Sequence, residues 1–216
     1  MKLRTEALLL DAVDSELIWR KKELTQHKFL LAGLAGREDR RTAVLRGAVP
    51  LLYAHWEGFI KASGSAYVEY VASQQLRYDQ LATPFLAMAA RRMINSATGS
   101  KKIRAHLEVA DFFRRGLATE SKLPYKSAID TDSNLSSSVL RDIVESLGLD
   151  FSPYQLKAQL IDEGLLKARN DIAHGEYLLV TESRYEDLGA EVLGMMETFR
   201  TQVQNAVILK QFMITS

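Results

Sequence analysis

An arginine and a histidine with four residues between them, Arg169 and His174 in the run Arg169-Asn170-Asp171-Ile172-Ala173-His174-Gly175, are the residues of this chain best suited to chemistry. A histidine that titrates near neutrality can move the proton of a hydroxyl or of a leaving group. A guanidinium can hold a phosphate with paired hydrogen bonds and stabilise the charge that develops on it. The two together suit cleavage of an RNA phosphodiester, with the histidine serving the 2′-hydroxyl or the leaving oxygen. Asn170 can orient either the imidazole or the phosphate. The same residue types also have structural uses. His174 can sit at a helix C-terminus, where the dipole favours a cation, and Arg169 can pair with Asp162, Glu163 or Asp171.

These residues need a helix to position them. Ser152-Pro153 reads as a helix start, with the serine as N-cap and the proline in the first turn. From there the pattern predicts one helix running to Gly175, with Leu156, Leu160, Gly164, Ala168 and Ile172 as its buried stripe. At roughly 100° per residue, Asn170 and His174 lie one above the other, whereas Arg169 is about 140° away from His174 around the axis. One helix therefore does not bring the arginine and the histidine together. Two copies meeting across a two-fold axis can.

The rest of the chain reads as scaffold. Helical spacing predicts a helix from Thr5 to about Leu34. A second runs from Glu38 to about Gln75, with Pro50 as a kink or a junction inside it. Its segment Leu51 to Lys61 is largely apolar and reads as a buried central helix, with Trp56 in the core. Thr83 and Pro84 start a short helix ending near Asn95. Lys101 to Leu117 reads as another, whose Lys101, Lys102, Arg104, Arg114 and Arg115 look like a solvated face. Residues 118–138 are turn-rich and predict a long loop or partly extended excursion, with room for a short strand. A helix from Ser136 to Leu147 follows, and Thr181 or Ser183 caps the last long helix. The expected fold is all-α: residues 1–216 as a single bundle of long antiparallel helices with an irregular loop insertion near 118–138.

Composition narrows the chemistry. There are 28 basic and 27 acidic residues, so any nucleic-acid surface must be local. The absence of cysteine excludes disulfides, thiolate nucleophiles and cysteine-bound metals, and fits a cytoplasmic protein. The N-terminus does not read as a signal peptide and no apolar run is long enough for a bilayer, so no membrane association is expected. No histidine pair has metal-site spacing and no glycine-rich phosphate loop occurs, so neither metal nor cofactor is expected. His27 and His106 read as surface residues.

The run Arg169 to Gly175, placed near the end of a helix in an all-α chain, resembles the signature of the HEPN superfamily. The stretch Tyr53-Ala54-His55-Trp56-Glu57-Gly58-Phe59-Ile60-Lys61 is similar to the early-helix signature of a HEPN-like nuclease subfamily from bacterial toxin–antitoxin and phage-defence settings. The resemblance spans about Arg41 to Phe212, and nothing in the motif departs from the pattern. It implies a homodimer whose interface holds the site, metal-independent RNA cleavage to a 2′,3′-cyclic phosphate and a 5′-hydroxyl, and a possible antitoxin or other regulatory protein as partner. On it, Arg169 and His174 are catalytic, and Asn170 and Glu57 are supporting. Since many relatives are not nucleases, the alternative is a non-catalytic helical module that binds a nucleotide, an RNA or a partner protein.

Overall fold

The computed structural model describes residues 3–132 and 134–214. Three long helices form its centre: α1 (Glu6–Ala32), α2 (Glu38–Ser73) and α8 (Glu182–Ile208). Thr5 starts α1 by accepting the backbone N–H of Leu8 on its side chain, and Thr181 does the same for α8 with Arg184. The helix α1 buries Leu9, Val13, Leu17, Leu24 and Leu31, spaced four and seven apart along one stripe. The apolar run read from the sequence as central is so: Leu52, Tyr53, Trp56, Phe59 and Ile60 of α2 are all essentially without solvent contact. Phe59 meets Phe199 of α8 edge-on, with ring centroids 6.3 Å apart.

Contacts fix the directions. Asp14 pairs with Arg200 and Lys21 with Glu197, so α1 and α8 are antiparallel. Arg41 meets Glu182 and Phe59 meets Phe199, so α2 and α8 run the same way. The chain between them must therefore carry the backbone back to its starting end. It does so in two excursions.

The first begins where α2 ends. Helix α3 (Thr83–Thr98) packs Phe85, Met88, Ala90 and Ala97 inward, and α4 (Ile103–Asp111) follows it. The sequence reading of one helix from Lys101 to Leu117 is corrected here, because α4 gives way to a π-helical turn at Phe112–Gly116. The chain then returns to the neck it left: Arg77 and Glu120 form an antiparallel bridge, flanked by Tyr78 N–H to Thr119 carbonyl (3.1 Å) and Ser121 N–H to Leu76 carbonyl (2.8 Å).

Residues 118–132 and 134–136 belong to the expected irregular segment, though not an unanchored one. Leu123, Ile129, Thr131 and Leu135 are buried, and a single 3-10 turn, Tyr125–Ser127, interrupts it. Among the described residues β pairing is confined to isolated bridges, so no strand forms there. The position of Gly64 on α2 is what lets this segment close down: a Cβ there would lie 3.1 Å from Ile129 and 3.3 Å from Leu147. Helix α5 (Ser137–Ser146) comes next, capped by Ser136 and closed at Gly148 with φ of +68°.

Pro50 neither breaks nor divides α2, which is continuous through it. A proline removes one backbone donor, and here Val49, Leu52 and Tyr53 are buried on either side of that gap. No helix among the described residues is long and apolar enough to cross a membrane. Phe59→Ala is expected to cost about 3–5 kcal/mol by emptying the α2–α8 contact. Thermal unfolding should report it as a fall of roughly 10 °C for a chain of this size.

Candidate functional site

The motif does not arrive on one regular helix. Phe151 and not Ser152 is the N-cap, while the Ser152 hydroxyl bonds back to Asp150. The first helix, α6, is only Ser152–Gln155. The chain turns at Leu156, which is 94 % exposed where the sequence stripe had it buried. A π-helical stretch, Leu160–Lys167, leads into α7 (Ala168–Ala173). The wider i to i+5 winding re-aims the side chains, so the inward residues are Ile161, Leu165 and Ala168, with Ile172 partly covered. Gly164 is not on that inner line, but a Cβ there would lie 3.2 Å from Leu188 of α8.

Two local devices hold this segment. Asp162 accepts from both the Ser137 backbone N–H (2.7 Å) and the Ser137 hydroxyl (2.5 Å), placing a carboxylate on the first turn of α5. At the other end, Gly175 N–H reaches the Ile172 carbonyl (3.1 Å) and Glu176 N–H reaches the Asp171 carbonyl (2.9 Å). With φ of +85° at Gly175, this is a Schellman closure. It ends the helix at His174, whose side chain is exposed.

Arg169 is held by its neighbours. Its Nη1 donates to the Asn170 Oδ1 (2.6 Å) and to the Asn134 Oδ1 (3.1 Å), and its guanidinium lies 4.9 Å from the centre of the Tyr53 ring. Of its sequence-proposed carboxylate partners, Asp162 is engaged by Ser137 and Asp171 by Lys167 (2.6 Å). Asn170 thus orients the arginine. Tyr53 is the residue beneath: fully buried, it accepts the Leu135 backbone N–H on its hydroxyl at 2.6 Å. Burial pushes its phenol up to about 12, and the carboxylate of Glu57, one turn along α2, pushes in the same direction. Glu57 is thereby placed beside Tyr53 and, through it, below Arg169.

Tyr53 and Asn134 were not singled out in the sequence. The available signal for Tyr53 was its spacing, four before Glu57 on an apolar helix. Asn134 lies in the irregular segment, where no period exists to reveal it.

His55, inside the same resemblance stretch, faces away toward α1. It is buried edge-on against Trp19 (5.3 Å), with its Nε2 3.2 Å from Glu23 Oε2 but misaligned for a hydrogen bond. Burial pushes its imidazole below the ordinary value, outweighing the upward pull of Glu23, whose half-exposed carboxylate is screened by water. The His55 carbonyl also accepts from Nε of the buried Arg20 (3.1 Å), whose guanidinium occupies the space left by Gly58. His55 is therefore a core residue of the α1–α2 contact. His106 is exposed, whereas His27 is partly buried. Among the described residues no group of three or more histidines and carboxylates is arranged to hold a metal.

The chain matches the HEPN_MAE_28990-like HEPN family over residues 9–212, and it belongs to that family. No curated protein and no solved structure matches it.

Two measurements check the local physics. Tyr53→Phe leaves the buried Leu135 N–H without its acceptor and should cost about 1–3 kcal/mol in denaturant unfolding, although the ring remains. For His55, the folded-state value is depressed, so the unfolded chain takes up the proton first as pH falls below 6.5. Stability should consequently decline on acidification from pH 7 toward 5.5, with a shallower decline in His55→Gln. Equal slopes in parent and variant would contradict the assignment.

Proposed function

We propose that this HEPN-family chain is a metal-independent endoribonuclease, with His174 moving the proton and Arg169 binding the scissile phosphate. The observation that carries the reading is the contrast within one motif. His174 stands exposed at a closed helix end, while Arg169 is braced by Asn170, Asn134 and Tyr53. A histidine open to solvent keeps access to an incoming 2′-hydroxyl. An arginine already braced loses little freedom when it grips a phosphate.

In the proposed reaction the 2′-oxygen attacks phosphorus and the bond to the 5′-oxygen breaks. The proton of the 2′-hydroxyl leaves to an imidazole, and the departing 5′-oxygen takes one up. The products are a 2′,3′-cyclic phosphate and a 5′-hydroxyl. The guanidinium offsets the negative charge gathering on the phosphoryl oxygens. Asn170 and Glu57 support this indirectly, Asn170 through the arginine and Glu57 through Tyr53. Because a separation of five residues sets Arg169 and His174 about 140° apart around a regular helix, we place the complete site between two copies of the chain, each supplying one motif helix. A toxin or defence role, with a regulatory protein as antidote, accords with such an activity.

The second reading is a module that binds RNA or a nucleotide without cutting it. It draws on the same bracing, since Arg169 is already occupied by Asn134 and Asn170. The two readings separate in one assay. Purified protein should cleave single-stranded RNA in the presence of EDTA and leave cyclic-phosphate ends. His174→Ala and Arg169→Ala should each lower the rate at least ~100-fold, in line with loss of a proton-transfer group or an oxyanion donor, with unchanged circular dichroism. Cleavage that survives both substitutions would remove the nuclease reading.

A further inference from the structure

The first excursion is chemically unlike the rest of the chain. Between Thr83 and Gly116 there are seven lysines and arginines (Arg91, Arg92, Lys101, Lys102, Arg104, Arg114 and Arg115) against only Glu108 and Asp111, a local charge of +5. The chain as a whole carries +1, which leaves −4 for everything else. A charge run on a helix is ordinarily a solvated face with its own counter-charges. Here the face is solvated but its counter-charges are few. Among the described residues only Arg104 of the seven lies within ion-pair distance of a carboxylate, Glu108 at 3.5 Å. Elsewhere some cations are matched, as in Arg41 with Glu182, Lys157 with Glu191, Lys167 with Asp171 and Arg200 with Asp14.

Exposure tells the same story. All seven cations are exposed, and α4 and the π turn after it bury none of their residues. Three apolar side chains stand out among the charges: Ile103 at 71 %, Leu107 at 55 % and the Phe113 ring at 44 % exposed. A helix with unmatched positive charge and exposed flat or apolar groups fits a polyanion that also offers bases to stack.

The arm also adjoins the motif. Arg91, midway along α3, lines a small cavity with Asp130, Asp132 and Val139. Asn134, the acceptor for Arg169, lies two residues beyond Asp132, at most about 7 Å along the backbone. The acids of that cavity, Asp130, Asp132 and Asp142, disfavour a polyanion there, which leaves the outer face of the arm as the cationic surface.

We propose that the arm formed by α3, α4 and the π turn is a docking surface for single-stranded RNA, which it presents to the motif from outside the catalytic residues. The inference takes its polyanion from the RNA-cleaving reading but is tested by binding alone. The probe is a 20-nucleotide fluorescently labelled single-stranded RNA, titrated against His174→Ala protein to prevent cutting. Removing four cations in Lys101→Gln/Lys102→Gln/Arg114→Gln/Arg115→Gln should weaken binding at least ~10-fold and lower the salt-dependence slope by about 3, at ~0.7 per lost phosphate contact. The smaller variant Lys101→Gln/Lys102→Gln should show the same effect in part. Lys22→Gln/Lys28→Gln, which strips two exposed charges from α1, should leave affinity within about twofold. Binding unchanged in the four-site variant, or lost equally in the α1 variant, overturns the proposal. So does an arm that binds phosphatidylserine vesicles but not the RNA. If the parent binds RNA through the arm yet never cleaves it, the docking surface stands and the nuclease reading falls.

Discussion

A single buried phenol joins the parts of the molecule that matter for its chemistry. Tyr53 sits in the middle of the central helix, accepts a backbone N–H from the irregular segment at Leu135, and lays its ring under the guanidinium of Arg169. Each contact is modest alone: a net hydrogen bond is worth about 1 kcal/mol, and a cation over an aromatic face about 0.5–2 kcal/mol. Their weight comes from convergence. The loop, the central helix and the motif helix are located relative to one another through one rigid side chain. Displacing any of them disturbs the other two.

The scaffold was readable because its signal is periodic. Leu9, Val13 and Leu17 in α1, or Leu188, Val192 and Phe199 in α8, repeat at helical spacing and end at recognisable caps. The all-α class and the extents of α1, α2 and α8 follow from that period. The motif helix was misread for the complementary reason. A π-helical stretch does not announce itself in hydrophobic spacing, because Leu156, Leu160 and Gly164 also satisfy a regular helix. Only packing against α8 and the capping of α5 by Asp162 select the wider turn.

The candidate site was legible in part. Arg169, Asn170 and His174 were visible as a motif, and Glu57 as a neighbour in a resemblance. What the one-dimensional pattern could not contain is the contact between Asn134 and Arg169, 35 residues apart and one of them in a stretch with no period. The Schellman closure at Gly175 ends the helix at His174 and leaves that side chain exposed.

The neck between Leu76 and Ser121 has an evolutionary consequence. The chain departs and returns at one bridged point, Arg77 against Glu120, so the length of what lies between is almost irrelevant to the bundle beneath. Leu81, bridged to Met213, and the inward side of α3, with Phe85 and Met88, tie the excursion to the core. Such a junction lets one lineage shorten, lengthen or recolour the projecting part while the remainder keeps its registration. Diversity among relatives should accordingly concentrate above that clasp.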